Sequence, residues 1–327
     1  MVTKRPFGTT KDGAPVTAYT LANEHGFGVS VLDYGATLQS VVLPHKGGRI
    51  DVVLGYDTIE EYENNDGYLG ASIGRFAGRI PGARLNLDGT VFSLSVNEGK
   101  NHLHGGFRGF DKRVWNAAVG SDLVTFSLVS PDGEEGFPGK CRCFAIFSLS
   151  NDALSIKYIG ASDRVTAWNP PNHAYWNLNG HDAGDARGHM LEIPADRYIP
   201  VGTDMIPVNS ETDVTGTCFD FRSMREIELA YDHSFVLSGS AIRLSGNSGI
   251  EVEIKTDCTA VQLYTAEYLT ERKGKIGTIY RPFGAVCLET EGRQTRRDLP
   301  IAPENILSGS DCETVRTTSY RFIMRED

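Results

Sequence analysis

Hydrophobic and polar positions alternate with a period of two along most of the chain. Stretches with this period that are rich in Val, Ile, Phe, Tyr and Thr, and bounded by Gly, Asn, Asp or Pro, are typical of half-buried β-strands. The pattern predicts strands over 27–35, 36–44, 122–130, 141–150, 233–239, 249–256 and 260–268. One short stretch, DTIEEYENN at 57–65, has the pattern of a helix.

The order of these elements predicts an all-β fold. Strands nowhere alternate with long amphipathic helices, which disfavours a parallel α/β fold. No repeat with a period of 20–50 residues and no Pro- or Ser-rich linker is evident, so we expect one domain over 1–327. A large antiparallel β-sandwich, in which sheets pack face to face, best accommodates this many strands in one domain.

Composition limits the partners of the chain. With 327 residues, 40% of them hydrophobic, the chain has enough apolar material for a sizeable core. A net charge of −10 repels nucleic-acid phosphates and anionic lipid head groups, so neither is an expected partner. No apolar run approaches the roughly 20 residues that cross a bilayer. The first ten residues, MVTKRPFGTT, have no apolar segment and do not resemble a secretory signal.

The six cysteines show no metal-binding or redox spacing. The closest pair is Cys141 and Cys143, which share a strand face at i, i+2. The chain contains no CxxC pair, which disfavours a zinc ribbon or a redox motif. Buried, reduced thiols are therefore favoured over disulfides.

The sequence NHLHGG at 101–106 places two histidines at i, i+2. In an extended segment His102 and His104 would face the same side, as they do in some metal sites of β-barrels. A metal site needs a further histidine and a carboxylate, and the nearby Asp111 belongs to a turn-like stretch, so no metal is predicted. The structural alternative is that His102 satisfies a turn and His104 caps a strand.

The stretch PNHAYWNLNG at 171–180 places His173 beside Tyr175 and Trp176. Aromatic rings with a polar group offer an apolar face on which the C–H face of a sugar can stack. The stretch therefore predicts a sugar-binding lip, in an enzyme or in a lectin. The alternative is that His173 is a hydrogen-bonded spacer in a loop.

Carboxylates mark the ends of two further strand-like stretches. Glu289 ends AVCLE and Glu291 follows at i+2, so the two can share a face. Like charges held close raise one pKa, which suits a general acid or base. The alternative is a solvated strand end with counter-charges from Arg293, Arg296 and Arg297. Asp232 and His233 begin another strand, where the alternative is an Asx turn.

Taken together, these stretches resemble the aldose 1-epimerase (galactose mutarotase) family. The resemblance runs from DYGATLQSVVLP at 33–44 to SYRF at 319–322. The markers between them, in order, are GRFAGRI (74–80), NHLHGGFRGFDKRVW (101–115), NHAYWNLNG (172–180), TGTCFDFR (215–222), YDHSFVL (231–237), YT (264–265) and CLET (287–290). No single marker is decisive, but their order and spacing are highly specific.

The resemblance implies a fold, a reaction and a set of site residues. The fold is the family's large antiparallel β-sandwich, and the reaction interconverts the α and β anomers of a free aldose. The family's catalytic base falls on Glu289 and its acid on His173, while the histidine of LHGG falls on His104 as a catalytic or sugar-contacting residue. The sugar-contacting Arg of GR and Asp of YDH fall on Arg75 and Asp232.

This reaction needs only acid–base chemistry. A proton leaves the C1 hydroxyl, another reaches the ring oxygen, and the ring opens, turns about C1–C2 and closes again, so no cofactor is expected. The expected partner is a small monosaccharide. Members of the family are usually cytoplasmic, which agrees with the missing signal, and a monomer or a homodimer is expected.

Several positions depart from the usual family pattern. Gly78 replaces Asn, Glu291 replaces Gln, Trp176 replaces Phe, Ala266 and Glu267 alter the YTGN-type segment, and GRQTRRD fills the 292–298 loop. Trp176 is therefore predicted to contact the sugar and to help select it. D-galactose or D-glucose is the default substrate, and L-arabinose, D-xylose or another hexose remains open.

The sequence is also compatible with two other functions. The Arg-rich stretch 293–297 would suit an epimerase of a hexose 6-phosphate. A non-catalytic sugar-binding sandwich would bind without turnover. The presence of both His173 and Glu289 favours an enzyme over a binding module.

Overall fold

The computed structural model of the chain describes residues 1–207, 211–239, 241–293, 301–309 and 312–324. In the first half of the chain the strands are β1 (Val2–Thr9), β2 (Pro15–Ala22), β3 (Gly28–Leu32), β4 (Thr37–His45), β5 (Gly48–Asp51), β6 (Arg79–Ile80), β7 (Arg84–Leu87), β8 (Thr90–Ser93), β9 (His102–Leu103), β10 (Asn116–Val119), β11 (Leu123–Ser130), β12 (Cys141–Leu149), β13 (Ala153–Ser162) and β14 (Thr166–Ala167).

The second half continues with short strands that alternate with longer ones. They are β15 (Tyr175–Trp176), β16 (Met190–Glu192), β17 (Arg197–Ile199), β18 (Thr212–Asp213), β19 (Arg225–Glu226), β20 (Asp232–Val236), β21 (Ile242–Ser245), β22 (Ile250–Thr256), β23 (Ala260–Tyr264), β24 (Arg272–Lys273), β25 (Ile279–Tyr280), β26 (Val286–Glu291), β27 (Ile306–Leu307) and β28 (Thr314–Met324). Short 3₁₀ segments lie at Pro81–Ala83, Phe110–Lys112, Glu134–Gly136, Lys275–Gly277 and Pro303–Asn305.

Three large antiparallel sheets build the fold. The first has the order β1-β2-β3-β4-β5, the second β10-β11-β12-β13-β28-β22-β21-β16-β19, and the third β15-β26-β23-β20-β17-β18. Two-stranded ladders β6-β9, β7-β8, β14-β27 and β24-β25 complete them. The prediction of an all-β antiparallel sandwich is confirmed.

Each predicted strand segment overlaps one strand, namely β3, β4, β11, β12, β20, β22 and β23. The central strands β13 and β28 were not predicted. The buried positions of β28 include Arg316 and Thr318, and the buried positions of β13 end in Gly160, Ala161 and Ser162, so neither strand has a consistently apolar face. Burial on one face is enough to hold such a strand in the middle of a sheet.

The helix predicted within 57–65 is α1 (Ile59–Glu63). Thr58 caps its first turn, because its Oγ1 accepts from the backbone N–H of Glu61 at 3.3 Å while the Glu61 carboxylate accepts from the Thr58 N–H at 3.1 Å. Ile59 and Tyr62 bury the inner face. No helix among the described residues is both long and apolar enough to cross a membrane.

The main core lies between the nine-stranded sheet and the other two large sheets. On one side, the ring centroids of Tyr19 in β2 and Phe126 in β11 are 5.6 Å apart, edge to face. On the other, Trp176 in β15 lies 5.3 Å from Tyr320 in β28. Such contacts bury large apolar areas, each Å² of which is worth about 25 cal/mol.

Alternation along β26 positions the candidate site. All six of its residues are buried. Val286 and Leu288 face the main core, and Thr290 bonds Thr318 of the nine-stranded sheet. The alternate residues Cys287, Glu289 and Glu291 face the opposite side of the six-stranded sheet, because neighbouring side chains of a strand point to opposite faces.

Candidate active site

A cavity of about 1080 Å³, counting the space that is open to solvent, lies over this opposite side. Four strands contribute one row of side chains to its floor. The register pairs Glu289 with Gln262, Gln262 with Ser234, and Ser234 with Ile199, and all four line the cavity. The floor is thus set by backbone hydrogen bonds between neighbouring strands.

His173 lies opposite Glu289. Tyr175 pairs with Cys287 across β15 and β26, and continuing this antiparallel register by two residues brings His173 to Glu289. The His173 backbone is also tied on its other side, since its N–H donates to Ala71 and its carbonyl accepts from Gly70, each at 2.9 Å. The resulting distance from His173 Nε2 to Glu289 Oε1 is 3.6 Å, and both side chains are buried.

Aromatic rings hold the imidazole of His173 on two sides. The Tyr175 ring is nearly parallel to it, with centroids 5.0 Å apart, and the Tyr68 ring is nearly parallel at 6.1 Å. The Tyr175 hydroxyl donates to the carbonyl of Gly67 at 2.7 Å, which fixes the ring. In the PNHAYW stretch, Tyr175 therefore orients the imidazole.

His104 forms the wall next to His173, with ring centroids 5.5 Å apart. Its Nδ1 accepts from the Gly78 N–H at 3.2 Å, so the proton of a neutral ring sits on Nε2. The next residue must be glycine, because a Cβ on Gly105 would lie 1.8 Å from the Gly74 carbonyl oxygen. The turn at His104, where φ is 52°, also separates it from His102, which packs against Phe137 elsewhere, so the two histidines do not share a face.

Asp232 and Gln262 meet on the floor. Gln262 Nε2 donates to Asp232 Oδ1 at 2.6 Å, and both residues line the cavity. Arg79 lines the wall beside them, because β6 pairs Arg79 with Leu103, next to His104. Its Nε donates to Glu98 Oε1 at 3.1 Å. Neither Arg79 nor Gln262 was predicted from the sequence.

Arg75 lies away from the cavity, which corrects its expected contact with the sugar. Its guanidinium is buried and donates to Ser130 Oγ and to the carbonyls of Ser130, Pro131 and Pro138 at 2.7–3.0 Å. Such a network ties loops together, and Arg75 is not among the residues that line the cavity. Arg79 ends the same GRFAGRI motif and faces the cavity in its place.

Trp176 is also misplaced by the sequence prediction. It follows Tyr175 on β15, so its side chain points to the opposite face of the sheet, where it is fully buried against Tyr320 and Phe322. It contributes to the core and does not line the cavity. The sugar-binding lip predicted around Trp176 is therefore wrong on this residue.

The departures from the family pattern divide into two groups. Gly78 and Glu291 line the cavity, whereas Ala266 and Glu267 do not. Arg293 is engaged by Glu211 at 2.5 Å and by Glu304 at 3.6 Å. Arg296 and Arg297, with the rest of 294–300, lie outside the described residues.

Burial governs the protonation of the central pair. It raises the pKa of Glu289 well above its usual value, and the charges of Glu291 and Asp232 raise that pKa further. Burial also lowers the pKa of His173 to about 4 and that of His104 well below its usual value. A buried pair that disfavours net charge holds one proton between its two members over a wide range of pH.

The described residues contain no group of three or more His, Cys, Asp or Glu side chains arranged to hold a metal ion. What the cavity presents is one carboxyl and one imidazole within proton-transfer reach, surrounded by side chains that can bind hydroxyl groups. Polar groups that converge in a partly apolar cleft are typical of small-molecule sites.

Known proteins resemble the chain over nearly all of its length. A family model described as aldose 1-epimerase matches residues 17–310. An aldose 1-epimerase of Haemophilus influenzae is 38% identical over 312 residues, which cover 90% of each protein. The galactose mutarotase of Bos taurus is 34% identical over 339 residues, which cover 98% of each.

Solved structures agree with this resemblance. An aldose epimerase homologue from C. elegans superposes with a TM-score of 0.88 at 29% identity, covering 94% of this chain and 98% of that one. The galactose 1-epimerase from Lactobacillus acidophilus gives a TM-score of 0.87 at 28% identity, covering 100% and 99%.

Fold, site and relatives define an isomerase of the mutarotase class, which interconverts the α and β anomers of a free aldose by acid–base ring opening and closure. Within this class, the chain belongs to the aldose 1-epimerase family.

Proposed function

We propose that Glu289 and His173 are the base and the acid of this mutarotase. The observation that carries the proposal is their 3.6 Å contact on the buried floor of the cavity. General acid–base catalysis requires two groups within hydrogen-bond reach of the same substrate bond, and each such group typically contributes about 10²–10⁴-fold to the rate. The reacting edge of the sugar would lie across both groups, with the C1 hydroxyl next to Glu289 and the ring oxygen O5 next to His173.

The proton count of the pair fits the reaction. A carboxylate with an imidazolium holds the same single proton as a carboxylic acid with a neutral imidazole. Glu289 accepts the C1 hydroxyl proton as the C1–O5 bond breaks, and His173 gives its proton to O5. After rotation about C1–C2, O5 returns a proton to His173 and Glu289 returns one to the C1 oxygen, so no net proton is consumed.

The surrounding side chains would hold the sugar hydroxyls. Arg79 and His104 offer donors, Asp232 offers an acceptor, and Gln262 offers both. Several groups that fix one geometry lower the entropic part of the barrier. Arg79 takes the role that the sequence assigned to Arg75.

D-galactose and D-glucose are the first substrates to test. The Bos taurus relative is named galactose mutarotase and the Lactobacillus acidophilus structure is a galactose 1-epimerase. A hexose 6-phosphate has less support, because Arg293 is engaged by Glu211 and Glu304. A non-catalytic binding module would not need a buried carboxyl beside an imidazole.

We also propose a single domain that acts in the cytoplasm as a monomer or a homodimer. One core cluster draws on residues from Tyr19 to Phe322, which supports a single domain. No disulfide joins any of the six cysteines, all of which lie among the described residues, as in a reducing compartment. Light scattering of the purified chain measures its mass, and a species larger than a dimer would contradict this proposal.

Polarimetry of freshly dissolved α-anomers tests the proposed function. We expect rapid mutarotation of at least one of D-galactose, D-glucose, L-arabinose and D-xylose, and loss of that rate in His173→Asn. Galactose 6-phosphate serves as a competitor in the same assay. Full activity of His173→Asn would remove the imidazole from the mechanism, and stronger competition by the phosphate than by the free sugar would favour the phosphorylated substrate.

A further inference from the structure

A second carboxyl lies on the same face of β26 as Glu289. Glu291 is 2% exposed, lines the cavity and follows Glu289 at i+2 on the strand. Alternate side chains of a strand are separated by roughly 7 Å along it, so the two carboxyls are close neighbours within one buried environment. The acid–base pair therefore works beside a further acidic group.

The position of Glu291 is fixed by a buried polar network. Asn169 Nδ2 donates to Glu291 Oε2 at 3.1 Å, and Asn169 Oδ1 accepts from the backbone N–H of Gly292 at 2.8 Å. The same Oδ1 accepts from Arg316, whose other nitrogen donates to Asn305 Oδ1 at 2.8 Å. This network fixes the carboxyl of Glu291 on the same strand as Glu289.

We propose that Glu291 is a positioning residue that sets the pH range in which Glu289 and His173 exchange their shared proton. The proposal rests on the proposed roles of that pair. Glu291 itself touches neither of the reacting bonds in this account. It acts through its charge, which the network around Asn169 holds beside the pair.

Other titratable or charged groups face the pair from each neighbouring element. They include Tyr68, Tyr175 on β15, Tyr264 on β23, Asp232 on β20, and His104 with Arg79 on the wall. Arg316 on β28, which donates to Asn169, brings a positive charge near Glu291. Asp232 and Arg79 are proposed sugar ligands, so changing them would alter binding as well as charge. Glu291 differs from them because it is not one of the proposed sugar ligands, and its Oε2 accepts from Asn169.

The sign of the effect follows from electrostatics. A negative charge beside the pair makes loss of the shared proton harder and gain of a second proton easier. Both limbs of the pH–rate profile then lie at higher pH than they would without that charge. For unit charges roughly 7 Å apart, the displacement is about 0.5–2 pH units, depending on the local dielectric.

Glu291→Gln provides the test, because glutamine has nearly the same shape and its carbonyl can still accept from Asn169. We expect both limbs of its kcat/KM profile for mutarotation to move to lower pH by about 0.5–2 units. Glu291→Asp keeps the charge, and its limbs should stay with those of the native protein even if kcat falls. Glu253→Gln, on β22 and paired with Lys255, is the matched control with an unmoved profile.

The outcomes separate this inference from the proposed function. Superposable native and Glu291→Gln profiles would overturn the role of Glu291, whatever happened to Tm or kcat. A shift of the same size in Glu291→Asp would also overturn it, because shape and not charge would then be responsible. Native activity that survives in both Glu289→Gln and His173→Asn would instead overturn the proposed pair.

Discussion

Tyr175 and Cys287 lie opposite each other in the register of β15 and β26, and this pairing places His173 opposite Glu289. The proposed acid thus comes from a segment that is tied by its backbone to the strand of the proposed base. The ladder fixes the spacing of the two backbones from which these side chains project. Substitutions that preserve the ladder should therefore alter chemistry without altering the fold.

Glu289→Gln should reduce kcat for mutarotation by about 10²–10⁴-fold, because an amide cannot accept the C1 proton. Polarimetry of the best sugar measures the loss. Thermal unfolding is the control: burial raises the pKa of Glu289, so the folded carboxyl retains a proton that the unfolded one releases at neutral pH, which costs stability there. The variant should unfold at the same or a higher temperature. Native kcat would contradict the assignment.

The pH profile of the native protein should have a broad plateau with two limbs. At low pH the pair takes a second proton, and burial places the pKa of His173 at about 4, so activity should fall as the pH drops through that region. At high pH the shared proton is lost, but the raised pKa of Glu289 delays that loss. Rates corrected for uncatalysed mutarotation at each pH measure both limbs. An acid limb near pH 6.5, the usual value for histidine, would contradict the effect of burial.

Arg75→Ala and Arg79→Ala should separate stability from binding. Arg75→Ala leaves buried carbonyls without their donor and should lower Tm by on the order of 5–10 °C. Arg79→Ala should raise KM, or lower kcat/KM, by about 10–100-fold through loss of a charge-assisted hydrogen bond to the sugar. Calorimetry and saturation kinetics on both variants give the comparison. An altered KM in Arg75→Ala with native Tm would reverse the two roles.

Trp176→Phe should cost stability and leave sugar preference unchanged. The indole is fully buried against Tyr320 and Phe322, so the smaller ring leaves a cavity that costs about 1–3 kcal/mol of unfolding free energy. Urea unfolding measures that cost. The ratios of kcat/KM across the sugar panel should match those of the native protein, and a changed ranking of sugars would return Trp176 to the site.

Much of the fold was predictable because period-two patterning survives wherever one face of a strand is buried. The prediction missed β13 and β28, because the buried positions of β28 include Arg316 and Thr318 and those of β13 end in Gly160 and Ser162, so neither strand shows a continuous apolar alternation. It also gave no pairing between strands, and so could not show that Gln262 lies beside both Glu289 and Ser234. Long-range register is a property of the folded sheet, not of any local stretch.

The set of residues that gather at the cavity was predictable only in part. Glu289, His173, His104 and Asp232 converge on the cavity, as expected. Arg75 and Trp176 do not line it, because a sequence motif shows which residues occur together but does not show which face of a sheet or loop each side chain occupies. The alternation of Tyr175 and Trp176 on β15 was readable in principle from strand periodicity, once that two-residue strand was known to exist.

The alternating faces of β26 join two demands in one short segment. Leu288 packs in the main core, while Glu289 and Glu291 on the same strand face the cavity. A substitution that repacks Leu288 must displace the backbone that carries the base. Selection therefore acts on this strand through two properties. A mutation that changes core packing also affects turnover, and a mutation that changes turnover also affects folding stability.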